Sequence, residues 1–243
     1  DIEGLKLDED GNVIAGAKFG LFKPGTTEFT EETAVLVTES DSEGKFRFED
    51  IRFGKWIVRE LVPATGYVLN ETPIEVNIQT EGEIINISFE NKFIRSDIKG
   101  YKVDEDGKPV EGALFGLFTE TDTEFTEENA VLTAKSDADG IFFFDDIRFG
   151  KWIVKELAPA EGFVANDTVF PIDVTTDGAV IEINAENRHI YGMVHTTKVD
   201  KDYPDNLLAG AIFEIYMDVD GSKEFNADVD TLVGEMVEYE PGL

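Results

Sequence analysis

Short segments in which apolar and polar residues alternate, separated by turns rich in glycine, aspartate and asparagine, recur along the chain. A period of two is typical of β-strands with one buried face. In the first hundred residues the pattern predicts strands at 17–22, 45–49, a segment ending at Pro63, 74–78 and 84–93. These strands predict an all-β fold, an immunoglobulin-like β-sandwich with antiparallel meanders.

Two connections in this part have their own signatures. Residues 30–36 predict a short helical turn, because Thr30 is a good N-cap and the two acids after it lie where the helix dipole favours them. Glu81-Gly82 predicts a hairpin turn between the last two strands.

The chain repeats itself at a constant spacing of 96 residues. The residues that recur include Lys6, Glu60 and Asn91, which return as Lys102, Glu156 and Asn187. A third copy opens at Lys198 and has two extra residues in its first turn. The counterparts of Glu60 and Asn91 would fall beyond Leu243. We therefore predict domains at 1–95 and 96–191, followed by the N-terminal part of an incomplete third domain at 192–243.

Two polar residues lie on predicted inner faces. Alternation places Glu60 in line with Trp56 and Val58, and it places Asn91 in line with Phe89. A buried carboxylate is costly unless it is paired or protonated, so Glu60 either ends the apolar face or has a function. The first strand is less clear, and alternation alone does not put Lys6 in the core.

The charge of the chain limits its partners. There are 21 lysines and arginines against 52 acidic residues, a net charge of −31, which repels nucleic acid and anionic membrane surfaces. No apolar run is long enough to span a membrane, and 19 phenylalanines argue against disorder. There is no cysteine, so a disulfide cannot stabilise the fold. No cofactor-binding motif is present, and we expect no cofactor.

Three motifs in order resemble the Cna B-type, prealbumin-like repeats of Gram-positive surface adhesins and pilins. The motifs are a Lys-x-Asp opening (Lys6-Leu-Asp8, Lys102-Val-Asp104, Lys198-Val-Asp200), the segments Glu60-Leu-Val-Pro-Ala-Thr-Gly-Tyr67 and Glu156-Leu-Ala-Pro-Ala-Glu-Gly-Phe163, and the terminal asparagines of Glu90-Asn91 and Glu186-Asn187. The resemblance covers residues 1 to about 191 well, and only the opening of the third copy.

This resemblance implies an intramolecular isopeptide bond in each complete repeat. It would join Lys6 to Asn91, promoted by Glu60, and in the second repeat it would join Lys102 to Asn187, promoted by Glu156. Lys198 would remain an unpaired cross-link lysine. The resemblance further implies a structural stalk on the cell-wall-attached, extracellular surface of a Gram-positive bacterium, with neighbouring domains of the same protein as partners. The chain would not be an enzyme beyond this single-turnover reaction.

Simpler interpretations of these residues remain open from the sequence. The glutamates could pair with exposed cations near a strand end, the asparagines could be buried amides bound by backbone, and the lysines could be solvated residues of an edge strand. A second function is a ligand-binding adhesin that grips a host or polysaccharide surface through a sandwich face or through the loops at Thr30 and Thr126.

A weak metal candidate lies in the third copy, at Asp218, Asp220 and Glu224. The glycine of this segment is at the fourth position, whereas a calcium loop has it at the sixth, so an acidic surface turn is favoured. His189 and His195 flank the second junction without the spacing of a metal site, and we interpret them as linker residues.

Overall fold

The computed structural model describes residues 1–237, which form sixteen β-strands and no helix. The strands of the first repeat are β1 (Ile2–Asp8), β2 (Lys18–Phe22), β3 (Leu36–Glu39), β4 (Lys45–Phe48), β5 (Gly54–Val62), β6 (Ile74–Ile78) and β7 (Ile85–Asn91). They form two sheets, one in the order β4-β1-β7 and one in the order β3-β2-β5-β6. The predicted all-β sandwich is confirmed.

The second repeat has the same architecture. Its strands are β8 (Arg95–Asp104), β9 (Leu114–Thr119), β10 (Leu132–Lys135), β11 (Ile141–Arg148), β12 (Gly150–Ala158), β13 (Val169–Val174) and β14 (Ala179–Asn187). Their sheets run β11-β8-β14 and β10-β9-β12-β13. The two repeats form one compact unit, residues 1–190.

The connectivity differs from a simple antiparallel meander. The first and last strands of each repeat are neighbours and run parallel, β1 beside β7 and β8 beside β14. The turn at Glu81-Gly82 is not a hairpin, because β6 and β7 belong to different sheets. Alternation identifies which face of a strand is buried but does not identify its partner, so the sequence could not reveal this pairing.

The segment after Thr30 is a single turn and not a helix. Ala34 N donates to the Thr30 carbonyl at 3.1 Å, and Thr33 N donates to Thr30 Oγ1 at 3.3 Å. Thr30 therefore acts as the predicted cap. The chain then enters strand β3, which the alternation did not predict.

Each repeat packs its core around a pair of stacked phenylalanines. In the first repeat Phe19 and Phe46 stack with ring centroids 3.8 Å apart, and Phe115 and Phe142 do the same in the second. The ring of Phe46 lies directly over Gly4 of β1, where an added Cβ would come within 1.9 Å of it. The glycine thus provides room for the ring against the first strand.

Residues 191–243 form a separate unit. In its described part, β15 (Glu214–Met217) and β16 (Thr231–Glu235) form an antiparallel hairpin. A bridge joins Val199 to Leu207, as a bridge joins Leu7 to Val13 in the first repeat, and the longer loop accounts for the two inserted residues. The hairpin resembles β2 and β3 of the first repeat, although Phe213 and Ile215, which align with the fully buried Phe19 and Leu21, are only half-buried.

Candidate functional site

Glu60 lies near the end of β5 on the inner face of its sheet and is 1% exposed. Its carboxylate is held at both oxygens. Asn91 Nδ2 donates to Oε1 at 2.9 Å, and the backbone N–H of Asn70 donates to Oε2 at 2.7 Å. Asn91 is the last residue of β7 and is also buried, as the alternation predicted.

Lys6 is fully buried, which the alternation of β1 did not predict. It shares its face with Ile2 and Gly4, and the structure shows that this is the inner face, while Leu5 and Leu7 lie half-buried on the outer one. The reason is Gly4, because the Phe46 ring fills the space that a side chain would occupy. The interpretation of Lys6 and Lys102 as solvated edge-strand residues is therefore wrong.

The Lys6 amine and the Asn91 amide meet at the same carboxylate oxygen. Lys6 Nζ lies 3.6 Å from Glu60 Oε1, the atom that also accepts the Asn91 hydrogen bond. The backbone register explains this proximity, since Lys6 is opposite Phe89 in the parallel β1–β7 pair and Asn91 is the next inward-facing residue along β7.

The second repeat holds the same residue set. Asn187 Nδ2 donates to Glu156 Oε1 at 2.8 Å, and the backbone N–H of Asn166 donates to Oε2 at 2.7 Å. Lys102 is fully buried, but its amine donates to the carbonyls of Val103 and Ala185, both at 3.2 Å.

Burial lowers the pKa of Lys6 and of Lys102, because the apolar interior disfavours the ammonium form. The carboxylates of Glu60 and Glu156 oppose this effect on the pKa of their respective lysines. Desolvation is the larger influence, so both lysines lose a proton more readily than a lysine in water. A neutral amine is the nucleophilic form of lysine.

Across residues 1–237, three buried side-chain polar atoms have no hydrogen-bond partner, and all belong to this residue set: Lys6 Nζ, Asn91 Oδ1 and Asn187 Oδ1. An unsatisfied buried polar atom costs about 1–3 kcal/mol, so such atoms call for an explanation. They also contradict the interpretation of Asn91 as an amide satisfied by backbone. The burial of Glu60 likewise excludes a pairing with exposed cations.

The sequence motifs do not include Asn70 and Asn166, which also contact the site. Each uses its backbone N–H on the glutamate, and each side-chain amide donates to a carbonyl of the last strand, Glu90 O at 2.9 Å or Glu186 O at 2.8 Å. Their recurrence at the 96-residue spacing was the available signal.

Lys198 is exposed, in contrast to its counterparts in the two complete repeats. The acidic residues that lie together differ from those of the predicted weak metal candidate. Asp218 and Asp220 lie together with Asp230, and Glu224 is not a member of the group. Asp218 accepts hydrogen bonds from the N–H groups of the turn that follows it, at Ser222 and Lys223, as expected for an acidic surface turn.

His189 is more than a linker residue. Its Nδ1 lies 3.0 Å from Glu105 Oε2, and its ring packs on Phe163 with centroids 4.4 Å apart. It occupies the position of Phe93, which packs on Tyr67 in the same way in the first repeat.

A surface depression of about 1190 Å³ lies in the first repeat, lined by residues of β1, β3, β4 and β7. Lys6, Glu60 and Asn91 do not line it. The three converging side chains are therefore enclosed by the core and not open to an external substrate on this side. In the part of the chain that the structure describes, no helix is long and apolar enough to cross a bilayer.

The comparisons with known proteins agree with this architecture. The sequence profile of the SpaA prealbumin-like fold domain matches residues 1–93 and again residues 96–189. The chain therefore belongs to this family, with two repeats in tandem. No curated protein sequence matches it.

Two solved structures have a similar fold. The TIE protein of Bacillus anthracis aligns over 99% of this chain and 41% of its own, at 23% identity and a TM-score of 0.80. This chain thus spans less than half of that protein. A C-terminal fragment of the pilus adhesin SpaC from Lactobacillus rhamnosus GG aligns over 80% of this chain and 98% of its own, at 14% identity and a TM-score of 0.52.

Proposed function

We propose that this chain is a load-bearing spacer of a Gram-positive surface protein, a pilin or an adhesin, in which each complete repeat is closed by a Lys–Asn isopeptide bond. The observation that carries the proposal is the convergence of Lys6 Nζ and Asn91 Nδ2 on one buried oxygen of Glu60. The similarity to a pilus adhesin fragment supports a location on the outer cell surface. Attachment to the cell wall is part of the proposal.

The proposed reaction needs only these three side chains. The neutral amine of Lys6 attacks Cγ of Asn91, and a C–N bond forms. Glu60 takes a proton from the attacking nitrogen and delivers it to the amide nitrogen, whose bond to Cγ breaks, and ammonia leaves. Burial holds the amine and the amide in proximity, which replaces the encounter that free side chains would need.

Such a link would suit a protein under tension. It would connect β1 directly to β7, so a pull along the chain would bypass the 84 residues between Lys6 and Asn91. Released, these residues could extend by roughly 300 Å. The chain has no cysteine, and the link would supply the covalent closure that a disulfide provides in other extracellular domains.

Intact mass spectrometry tests the proposal directly. We expect the purified chain to be lighter than its sequence by two molecules of ammonia, the Glu60→Ala variant by one, and the Glu60→Ala/Glu156→Ala variant by none. Glu90→Ala, on the outer face of β7, is the matched control and should keep both links. A wild-type mass equal to that of the sequence would refute the proposal.

Residues 192–243 are proposed to be the opening of a third repeat, with boundaries after residues 95 and 191. The hairpin of β15 and β16 and the bridge between Val199 and Leu207 support this assignment. The exposed Lys198 would then remain a free amine in this chain. Peptide mapping that found Lys198 within a cross-linked peptide would contradict it.

A further inference from the structure

The junction between the two repeats is a specific set of contacts. Arg95, the first residue of β8, binds carboxylates from both repeats: its Nη2 lies 2.7 Å from Glu9 Oε1, and its Nη1 lies 2.6 Å from Asp146 Oδ2. Arg95 therefore connects the first turn of repeat one to the end of β11 in repeat two.

Residues 146–149, which we call the docking segment of repeat two, make further contacts with repeat one. Arg148 Nη1 lies 2.9 Å from Asp10 Oδ2, and its guanidinium lies 4.3 Å from the ring centroid of Phe93. The backbone N–H of Phe149 donates to the Ile94 carbonyl at 2.8 Å.

The Phe149 ring lies against Gly66, where an added Cβ would be 3.0 Å from the ring. We call the surface that receives Arg95 and the docking segment the distal face of repeat one; it is formed by Glu9, Asp10, Gly66, Phe93 and Ile94.

Repeat one carries the same four residues at its opposite end. Residues 50–53 repeat the sequence Asp-Ile-Arg-Phe of residues 146–149, and the two segments share two local features. Asp50 and Asp146 both have positive φ, 54° and 60°. The carbonyl of Arg52 accepts a hydrogen bond from Trp56 Nε1 at 2.9 Å, as Arg148 accepts one from Trp152 at 2.9 Å.

The two segments differ in what covers them. Phe149 is 37% exposed, whereas Phe53 is 80% exposed. Arg148 pairs with Asp10, whereas Arg52 has no ion pair to any residue between 1 and 237. A large aromatic ring beside an unpaired arginine, held in the conformation that binds a neighbour elsewhere in the chain, is typical of an interaction surface.

A depression of about 540 Å³ beside Phe53 extends this surface, and residues 79–83 line one side of it. In repeat two the equivalent loop holds the incoming chain. Gly178 N donates to the Arg95 carbonyl at 2.7 Å, and Arg95 N donates to Asp177 Oδ1 at 3.0 Å. The depression therefore lies where repeat two binds the strand that arrives from its neighbour.

We propose that residues 50–53 form a docking surface for the distal face of another prealbumin-like repeat, located on the N-terminal side of Asp1. Arg52 would bind an acidic first turn, and Phe53 would pack on a glycine next to an aromatic residue. A repeat in the same chain is favoured over a second molecule because the junction contacts include the linker residue Arg95 itself. The inference rests on the proposed role as a spacer in a tandem array.

An extended chain tests the surface. Residues 1–96 are duplicated ahead of Asp1 in the full chain, which preserves the 96-residue spacing and presents a distal face to residues 50–53. Hydrogen exchange is followed at the amide of Phe53, the counterpart of the Phe149 amide that bonds to Ile94. We expect this amide to exchange at least about tenfold more slowly in the extended chain than in the original one.

Two variants make the result specific. In the extended chain, Arg52→Gln should restore much of the fast exchange at Phe53, whereas in the original chain it should change nothing. Arg148→Gln in the original chain is the matched reference and should speed exchange at Phe149. Equal exchange at Phe53 in the original and extended chains would overturn the proposal.

Self-association of the original chain that disappears in Phe53→Ser would also overturn it, because the surface would then bind a second molecule. The masses of the same samples report the isopeptide links separately. Slow exchange at Phe53 in a chain without links would support the docking surface and refute the proposed cross-link.

Discussion

The candidate sites of the two repeats share their glutamate and asparagine geometry but differ at the lysine. The Asn–Glu hydrogen bonds are 2.9 and 2.8 Å long, and both glutamates accept a backbone N–H at 2.7 Å. Lys6 Nζ lies 3.6 Å from its glutamate without a hydrogen bond within the described chain, whereas Lys102 Nζ donates to two carbonyls.

This difference separates the fixed part of the site from its mobile part. Strands β5 and β7 set the positions of glutamate and asparagine, and the loop at Asn70 fixes the second carboxylate oxygen. The lysine reaches the site through a flexible four-carbon stem, so its amine can lie at the carboxylate or against the backbone. The two repeats show these two positions.

The largest expected effect comes from removing a proposed isopeptide link. Lys6→Met replaces the buried amine by an apolar group of similar length, and it should lower the free energy of unfolding of repeat one by about 4–5 kcal/mol, by analogy with a disulfide that closes a loop of this size. Lys102→Met should cost repeat two a similar amount, because the two loops have equal length.

Denaturant unfolding followed by fluorescence checks this prediction, because each repeat contains one of the two tryptophans. Trp152→Phe leaves Trp56 as the reporter of repeat one. Mass spectrometry should confirm that each lysine variant has lost only its own link. Unchanged unfolding of repeat one in Lys6→Met would mean that no link stabilises it.

A smaller effect concerns pH in a repeat without its link. In Glu60→Gln, Lys6 remains a free buried amine, and burial lowers the pKa of this lysine below its ordinary value of 10.5. At a pH between the folded-state pKa and the ordinary pKa, Lys6 is protonated in the unfolded chain but neutral in the folded one. The free energy of unfolding should therefore rise with pH in this range, by up to about 1.4 kcal/mol per pH unit. The stabilisation is lost as pH falls toward the folded pKa.

Urea unfolding between neutral pH and pH 10.5 measures this slope. Adding Lys6→Met to Glu60→Gln should abolish this slope, and the wild type should lack it because the proposed link converts its lysine to an amide. A slope that persists after Lys6→Met would assign the effect to another group.

The smallest effect is kinetic and leaves the end point unchanged. Lys102 must give up two carbonyl hydrogen bonds before its amine can reach Asn187, and each neutral bond contributes about 1 kcal/mol. Together these two bonds amount to about 2 kcal/mol, so we expect the second link to form roughly thirtyfold more slowly than the first. Mass spectrometry with peptide mapping during refolding of unlinked, newly synthesised chain should find singly linked molecules joined at Lys6 and Asn91. A majority joined at Lys102 would reverse this order.

Much of the fold and part of the site could be predicted from alternation and repetition. Glu60 and Asn91 were assigned to inner faces because each follows apolar residues on a strand of clear period two. Lys6 could not be assigned, since its face of β1 carries Gly4, whose contribution to the core is the space it leaves for Phe46. An apolar count on the two faces therefore points to the wrong one.

The pairing of the strands could not be predicted from the sequence for a different reason. A period of two defines faces, but the pairing of β1 with β7 depends on how the chain crosses between sheets. Asn70 was missed because it binds Glu60 through its backbone N–H, a group that every residue except proline has.

The parallel pairing of β1 and β7 has a mechanical consequence. The chain enters at Ile2 and leaves after Asn91, at opposite ends of a ladder of seven residue pairs. Tension along the chain therefore slides the two strands past each other and does not peel them apart. In sliding, the interstrand hydrogen bonds are strained together, whereas in peeling they break one after another. The topology thus gives each repeat resistance to shear before any covalent bond has formed.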